Sequence, residues 1–317
     1  MREMIRQNLG KTLTDITLPE FGEGYSGKVR NVYDQTDKII MVTTDRVSAF
    51  DHVLGTIPFK GQILTQLARF WFEKTADTVP NHVISYPDPQ VLIARKAEML
   101  PVEIIVRGYI TGSLWRDYKN GVRDAYGFEL PDGLRKDQKL PEIIITPSTK
   151  AEYGNHDLPI SREEIIKQNL VKLDVYEQAE DYARKLFSIG QDWAARRGLI
   201  LVDTKYEFGV AEGELLVVDE IHTPDSSRYW VADEYESRFS ADKNQLMLDK
   251  ENLRQWLLQK NFSGQGKPPP LSDDIRIALA EHYIDLYRQV TGMGITLQEG
   301  SVEERIITNL RKAGWLK

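Results

Sequence analysis

The chain has 317 residues, 41% hydrophobic and 28% charged, enough for one large or two modest domains around a sizeable core. Its net charge of -7 provides no global positive field, so nucleic acid is not an expected partner and any ligand phosphate must be met locally. The absence of cysteine excludes disulfides, thiolate nucleophiles and sulfur-ligated zinc, and the absence of a long apolar run predicts a cytoplasmic protein without membrane contact.

After a polar start, residues 21–34 are glycine-rich, and residues 38–44 (KIIMVTT) form a short β-branched run that reads as a buried strand. Residues 62–76 carry Ile63, Leu67, Phe70 and Trp71 at helical spacing. Residues 91–96 and 102–110 again read as strands, so the first third is α+β. Residues 118–141 turn polar, with glycines and prolines, and read as loop before the apolar run 143–145. Residues 161–197 predict one long amphipathic helix. Ser161 and Glu164 form its capping box, and Ile166, Leu170, Leu173, Tyr176, Ala179, Ala183, Leu186 and Trp193 form its apolar face. Two strands follow, 199–209 and 214–221, joined by a hairpin turn. A Gly/Pro-rich linker at 260–271 then precedes a helix capped by Ser272, with Ile275, Leu279, Tyr283, Leu286 and Val290 inward.

Residues 22–27 (GEGYSG) match GxGxxG, but a dinucleotide site needs a preceding strand and a following helix, and the flanks here read as strands. A glycine flap between strands can cover nucleotide phosphates, with Lys28 and Arg30 supplying charge; an ordinary glycine turn with surface cations is the plainer alternative. In DTKYEFG (203–209), alternation puts Asp203, Lys205 and Glu207 on one face, with Leu201 continuing that face inward. Asp219 ends the next apolar run, so Glu207 and Asp219 can approach across the hairpin. Paired carboxylates suit Mg²⁺, which completes its shell with water and phosphate, although a surface ladder of charges would read alike. Downstream, Arg228 offers a fork for phosphate or carboxylate.

Six blocks carry more together than apart: GKVRNVYD (27–34), TDRVSAFD (44–51), VEIIVRGYITGSLW (102–115), TPSTKAEYGNHD (146–157), DTKYEFG (203–209) and DEIHTPDSSRYW (219–230). Their order and spacing resemble the SAICAR synthetases, in the longer stand-alone form. The resemblance implies an α+β, ATP-grasp-like fold, with a small nucleotide-covering part at 1–110 and a larger part with a mixed sheet at 111–317. It implies an ATP- and Mg²⁺-dependent ligase that phosphorylates the carboxylate of carboxyaminoimidazole ribotide and joins it to L-aspartate, giving SAICAR, ADP and phosphate. Gly27, Lys28 and Arg30 are then expected at the ATP phosphates, and Glu103 and Ile105 at the adenine edge through the backbone. Glu207 and Asp219 become the metal carboxylates, and Arg107, Ser113 and Arg228 the ribotide phosphate cradle. Lys205 and Asp225 lie nearer the imidazole, Ser48 and Asp51 belong to the active site, and Lys150, His156 and Asp157 contact substrate. A small-molecule kinase and a non-catalytic nucleotide-binding module are the competing readings; the chain has no HRD-type catalytic loop, and its charged site residues are intact.

Overall fold

The computed structural model describes residues 1–50, 52–150, 157–248 and 251–317. Among these, thirteen strands occur in the order β1 Gly24–Ser26, β2 Arg30–Asp34, β3 Lys38–Thr43, β4 Arg46–Ala49, β5 His52–Thr56, β6 Val83–Asp88, β7 Val91–Arg95, β8 Glu98–Tyr109, β9 Lys139–Ile145, β10 Ser148–Thr149, β11 Leu199–Ala211, β12 Glu214–Val218 and β13 Ser227–Val231. The helices are α1 Arg2–Gln7, α2 Lys60–Thr75, α3 Gly112–Lys119, α4 Arg162–Lys167, α5 Leu173–Ala195, α6 Ala232–Ser240, α7 Glu251–Gln259, α8 Asp273–Thr291 and α9 Val302–Lys312. The fold is α+β. No helix among the described residues is long and apolar enough to cross a membrane.

One sheet has five strands in the order β1-β2-β3-β7-β6, and a second has six around the central pair β8 and β11. Every ladder is antiparallel, where a mixed sheet was expected; the one parallel pairing among the described residues is the isolated bridge Asn81 to Val217. The hydrogen-bonded neighbours run in opposite senses, the arrangement that hairpins generate and βαβ crossovers do not. Residues 98–109, grouped at the sequence level with the N-terminal part, form a central strand of the second sheet, while the five-stranded sheet uses residues between Gly24 and Arg95.

The glycine flap is itself a hairpin: β1 pairs with β2, and Gly27 N donates to Arg30 O at 2.8 Å, so no helix follows the glycines. Tyr33, Ile40, Val42, Val91 and Ile93 on one face of this sheet meet Ile306 and Leu310 of α9. Arg305 of α9 forks onto Asp88, with Nε at 3.1 Å and Nη2 at 3.2 Å. Val32 and Met41 occupy the opposite face.

On the second sheet, α5 packs against β8 and β11 over Ile104, Val106, Tyr206 and Phe208. The predicted single helix over 161–197 is broken. The capping box at Ser161 and Glu164 is present, but α4 ends at Lys167, Asn169 takes φ 54°, and α5 starts at Leu173. The left-handed residue reverses the chain where the apolar spacing alone continues. The loop after α3 contains neither helix nor strand from 121 to 138, yet Leu130 and Tyr118 are buried in a cluster of their own. Tyr118 Oη donates to Pro131 O at 2.7 Å.

Candidate active site

Both outer edges around the central pair are shared end to end. Beside β8, β9 gives way to β10; beside β11, β12 pairs from Glu207 onward and β13 up to Thr204. Residues 219–226 therefore leave the sheet as a turn opposite Lys205 and Tyr206, while Lys205 N still donates to Ser226 O at 3.0 Å. This turn brings Asp219 beside Glu207 and Asp225 beside Lys205. The hairpin joining β11 to β12 turns through Glu212 and Gly213, with φ 52° and 82°, the left-handed pair favoured by tight hairpins.

A bulge fixes which face is chemical. The register of β11 against β13 shifts between Leu201 and Asp203, so Leu201 joins Tyr206 and Phe208 on the helix-covered side, whereas Asp203, Lys205 and Glu207 face away from it. Leu201 was expected to continue the charged face; strict alternation fails because a bulge reverses the parity of every residue beyond it. Across the ladder stand Arg107 opposite Asp203, Ile105 opposite Lys205 and Glu103 opposite Glu207.

Two cavities meet along this row. The first, about 250 Å³, is lined by Arg107, Ser113, Asp203, Lys205, Asp225 and Arg228, with Ile105 and Arg254. Arg107 is buried and three of its five N–H donors are placed: Nε donates to Thr146 Oγ1 at 2.8 Å, Nη1 to Asp203 Oδ2 at 2.9 Å, and Nη2 to Ser113 Oγ at 3.2 Å. Arg228 Nη1 reaches the same Asp203 oxygen. One buried carboxylate thus orients two guanidiniums and leaves a surplus positive charge facing the cavity, a local answer to an anionic ligand. Gly112 permits this approach: its φ is 58°, and a Cβ there would lie 2.4 Å from Arg228 Nη2.

The second cavity, about 290 Å³, has an apolar wall of Val32, Ile39, Met41, Ala97 and Met99 under the flap residues Tyr25, Gly27, Lys28 and Arg30. Lys150, Glu207 and Asp219 lie on its polar side. Arg30 pairs with Asp219 and, through Nη2 at 2.7 Å, with Glu220. Glu207 pairs with Lys150 and Lys205, and Lys205 Nζ donates to Glu103 Oε1 at 2.8 Å. Burial pushes Glu207 up, but the two ammonium groups overcome it and hold this carboxyl below the usual carboxylate range. Burial likewise pulls Lys205 down, and Glu207, Glu103 and Asp219 more than reverse it, so its ammonium is secure. Burial raises Glu103, with Lys205 opposing.

The SAICAR synthetase family model matches residues 23–270. The chain belongs to the SAICAR synthetase family. It is 47% identical over 304 residues to the phosphoribosylaminoimidazole-succinocarboxamide synthase of Bacteroides thetaiotaomicron, spanning 94% of this chain and 97% of that protein. The synthase of Legionella pneumophila (strain Paris) is 46% identical over 312 residues, spanning 96% and 98%. The solved SAICAR synthase from Saccharomyces cerevisiae complexed with SAICAR superposes with a TM-score of 0.77 at 33% identity, covering 90% of this chain and all of that one. A SAICAR synthetase structure in complex with ADP gives 0.67 at 29% identity, covering 87% and 100%. Family membership makes the chain a ligase of purine biosynthesis that uses ATP.

Most of the residues singled out from the sequence converge on the two cavities of this SAICAR synthetase fold, with differences in detail. Glu103 offers no free backbone edge to an adenine, because it stands opposite Ser148 on one side and Glu207 on the other; Ile105 lines the arginine cavity instead. Lys150 lines the flap cavity beside Glu207. Ser48 lies on the β4–β5 hairpin and lines neither cavity, and Asp157 is exposed. Asp51 and His156 lie outside the described residues. Sequence reasoning overlooked Lys60, whose Nζ donates to Asp225 Oδ2 at 2.9 Å, and underused Asp203, which it placed on the charged strand face without a partner; its place between Arg107 and Arg228 is a tertiary contact.

Proposed function

We propose that the arginine cavity takes carboxyaminoimidazole ribotide, the flap cavity takes ATP, and L-aspartate is joined to the ribotide carboxylate where the two cavities meet. The observation that carries this reading is the pairing of Lys205 and Glu207: two residues apart on one strand face, the first lines one cavity and the second the other. A nucleotide phosphate chain over Glu207 would end beside a carboxylate held near Lys205. The ribotide phosphate would lie against Arg107, Ser113 and Arg228, with Asp225 towards the amino-imidazole. The adenine would rest on Val32, Met41 and Met99, and Gly27, Lys28 and Arg30 would cover the phosphates, giving the N-terminal sheet the nucleotide-covering part of an ATP-grasp-like arrangement. Lys150, beside Glu207 in the flap cavity, is assigned to the nucleotide phosphates, and Asp157 to the substrate side of the opening.

The donor set fits Mg²⁺. Glu207 and Asp219 are oxygen donors on one cavity wall, and no cluster of three or more acidic or histidine side chains among the described residues forms a complete cage, which suits an ion that keeps water and phosphate ligands. When bound there, Mg²⁺ supplies positive charge at the transferring phosphoryl group. The same carboxylates are paired here with Lys150, Lys205 and Arg30, cations that would turn to phosphate oxygens once the nucleotide arrives.

A carboxylate is a poor electrophile, so its oxygen first attacks the γ-phosphorus, ADP leaves, and the resulting acyl phosphate is opened by the aspartate amine as the carbon–oxygen bond to phosphate breaks. Lys205 offsets charge on the moving phosphoryl group, so that fixed electrostatics lower the barrier without a protein nucleophile. Ribotide labelled with ¹⁸O in its carboxylate tests the sequence. The label is expected in inorganic phosphate when ATP and aspartate are both present; label absent from phosphate would reject the acyl phosphate and the role given to Lys205.

A further inference from the structure

Lys60 is a fully buried lysine that the chemistry above does not use. It heads α2, its side chain is 0% exposed, and Asp225, with which it pairs, is 7% exposed on the cavity-lining turn. The Lys60 ammonium also lies 5.8 Å from the ring centroid of Tyr283. Its position is over-determined. Phe59 turns the chain into the helix at φ 65°, and Gly61 N donates to Asp45 Oδ1 at 2.9 Å. A Cβ on Gly61 would fall 2.2 Å from Gln90 Nε2 and 2.4 Å from Thr43 O, so this first helical turn is pressed against the first sheet as only glycine permits.

Taking an ammonium and a carboxylate out of water is costly, and an apolar pair of similar size would tie α2 to the turn about as well. What an apolar pair cannot do is hold a negative charge, in one orientation, at the wall of the ribotide cavity. Besides Lys60, the charges that bear on Asp225 include Arg30 of β2 and Glu220 of the same turn, and Lys205, Arg228 and Arg254 line the same cavity. Lys60 reaches it from a fully buried position at the head of α2.

We propose that Lys60 is a positioning residue for the ligation, fixing the Asp225 carboxylate as an oriented anion that accepts the N–H of the ribotide amino-imidazole. This rests on the ribotide assignment above and deepens it. Lys60→Met, Asp225→Asn and the double variant of the full chain are compared by steady-state kinetics, varying ribotide and ATP separately, with thermal unfolding as the control for folding. Lys60→Met is expected to lower kcat/KM for ribotide by about 30-fold while the KM for ATP changes by less than about threefold. The double variant is expected to match Asp225→Asn, because the lysine has nothing left to orient.

Should Lys60→Met not fold, the double variant, which leaves no unpaired buried charge, carries the comparison with Asp225→Asn alone. A double variant slower than Asp225→Asn by the full Lys60 factor, or a folded Lys60→Met with unaltered kinetics, overturns the proposal. Asp225→Asn with unaltered ribotide kinetics overturns it too, through the Asp225 assignment. A wild-type chain that forms no amide would reject the ligase reading itself, a distinct result.

Discussion

Asp203 shows how much of this site is organised before any ligand enters. A carboxylate between two guanidiniums uses hydrogen bonds that would otherwise go to water, and Arg107 has its Nε and both terminal nitrogens committed to Thr146, Asp203 and Ser113. A ligand phosphate then meets donors whose orientation needs no further ordering, and that lost freedom is a main cost of binding. Arg228 is the less buried of the two, so its removal is the cleaner measurement. Arg228→Ala is expected to raise the KM for ribotide by about 10- to 100-fold, the range of a charge-assisted hydrogen bond, with little change in the KM for ATP. The reverse pattern would mean that the two cavities have been assigned the wrong way round.

At the scale of elements, α9 is the part whose role the sequence disclosed least. Ile306 and Leu310 are fully buried against the five-stranded sheet, on the face opposite Val32 and Met41. Leu310→Ala is therefore expected to destabilise the protein by about 2–4 kcal/mol, read by denaturant unfolding, while leaving ribotide binding at low temperature unchanged. The hairpin of β11 and β12 was legible because its signals are local: apolar runs of strand length on either side of Gly213. The Ser161 capping box was legible for the same reason. The break at Asn169, the bulge after Leu201 and the central place of β8 were not, since a register shift or a reversal leaves residue spacing intact. Lys60 escaped because a lysine at the head of an amphipathic helix ordinarily stands in water, and only the tertiary contact with Asp225 shows otherwise. The six family blocks already separated a flap set from an arginine set, and the two sets line different cavities, whereas the places of Ile105 in the arginine cavity and Lys150 in the flap cavity were not legible.

Over the whole molecule, two buried histidines contribute to the response to acid. Burial lowers His82 and His222 from 6.5 to about 3, with Arg30 and Arg95 adding to the effect at His82. A depressed folded-state value means that the unfolded chain takes up protons the native state refuses. Their stabilising contribution is thus complete above pH 6.5 and is lost as pH falls towards 3, at about 1.4 kcal/mol per pH unit for each histidine. Buried Asp45, raised to about 6, acts in the opposite sense: its contribution is present below its ordinary value and declines as pH rises through 6. A comparison of variants separates the two. The stability of His82→Phe/His222→Phe should fall less steeply than wild type between pH 6 and 4, by about 2.7 kcal/mol per unit, and parallel curves would show that neither ring titrates as assigned. The packing of α9 has a further consequence, in time. Leu13, Ile16, Leu18, Ile40 and Val42 are made well before their cover, Val302, Ile306 and Leu310. At about 5–20 residues per second, the 260 residues between Val42 and Val302 take roughly 13 to 52 s to synthesise. The five-stranded sheet is translated well before α9, and one of its apolar faces waits on the ribosome for that partner.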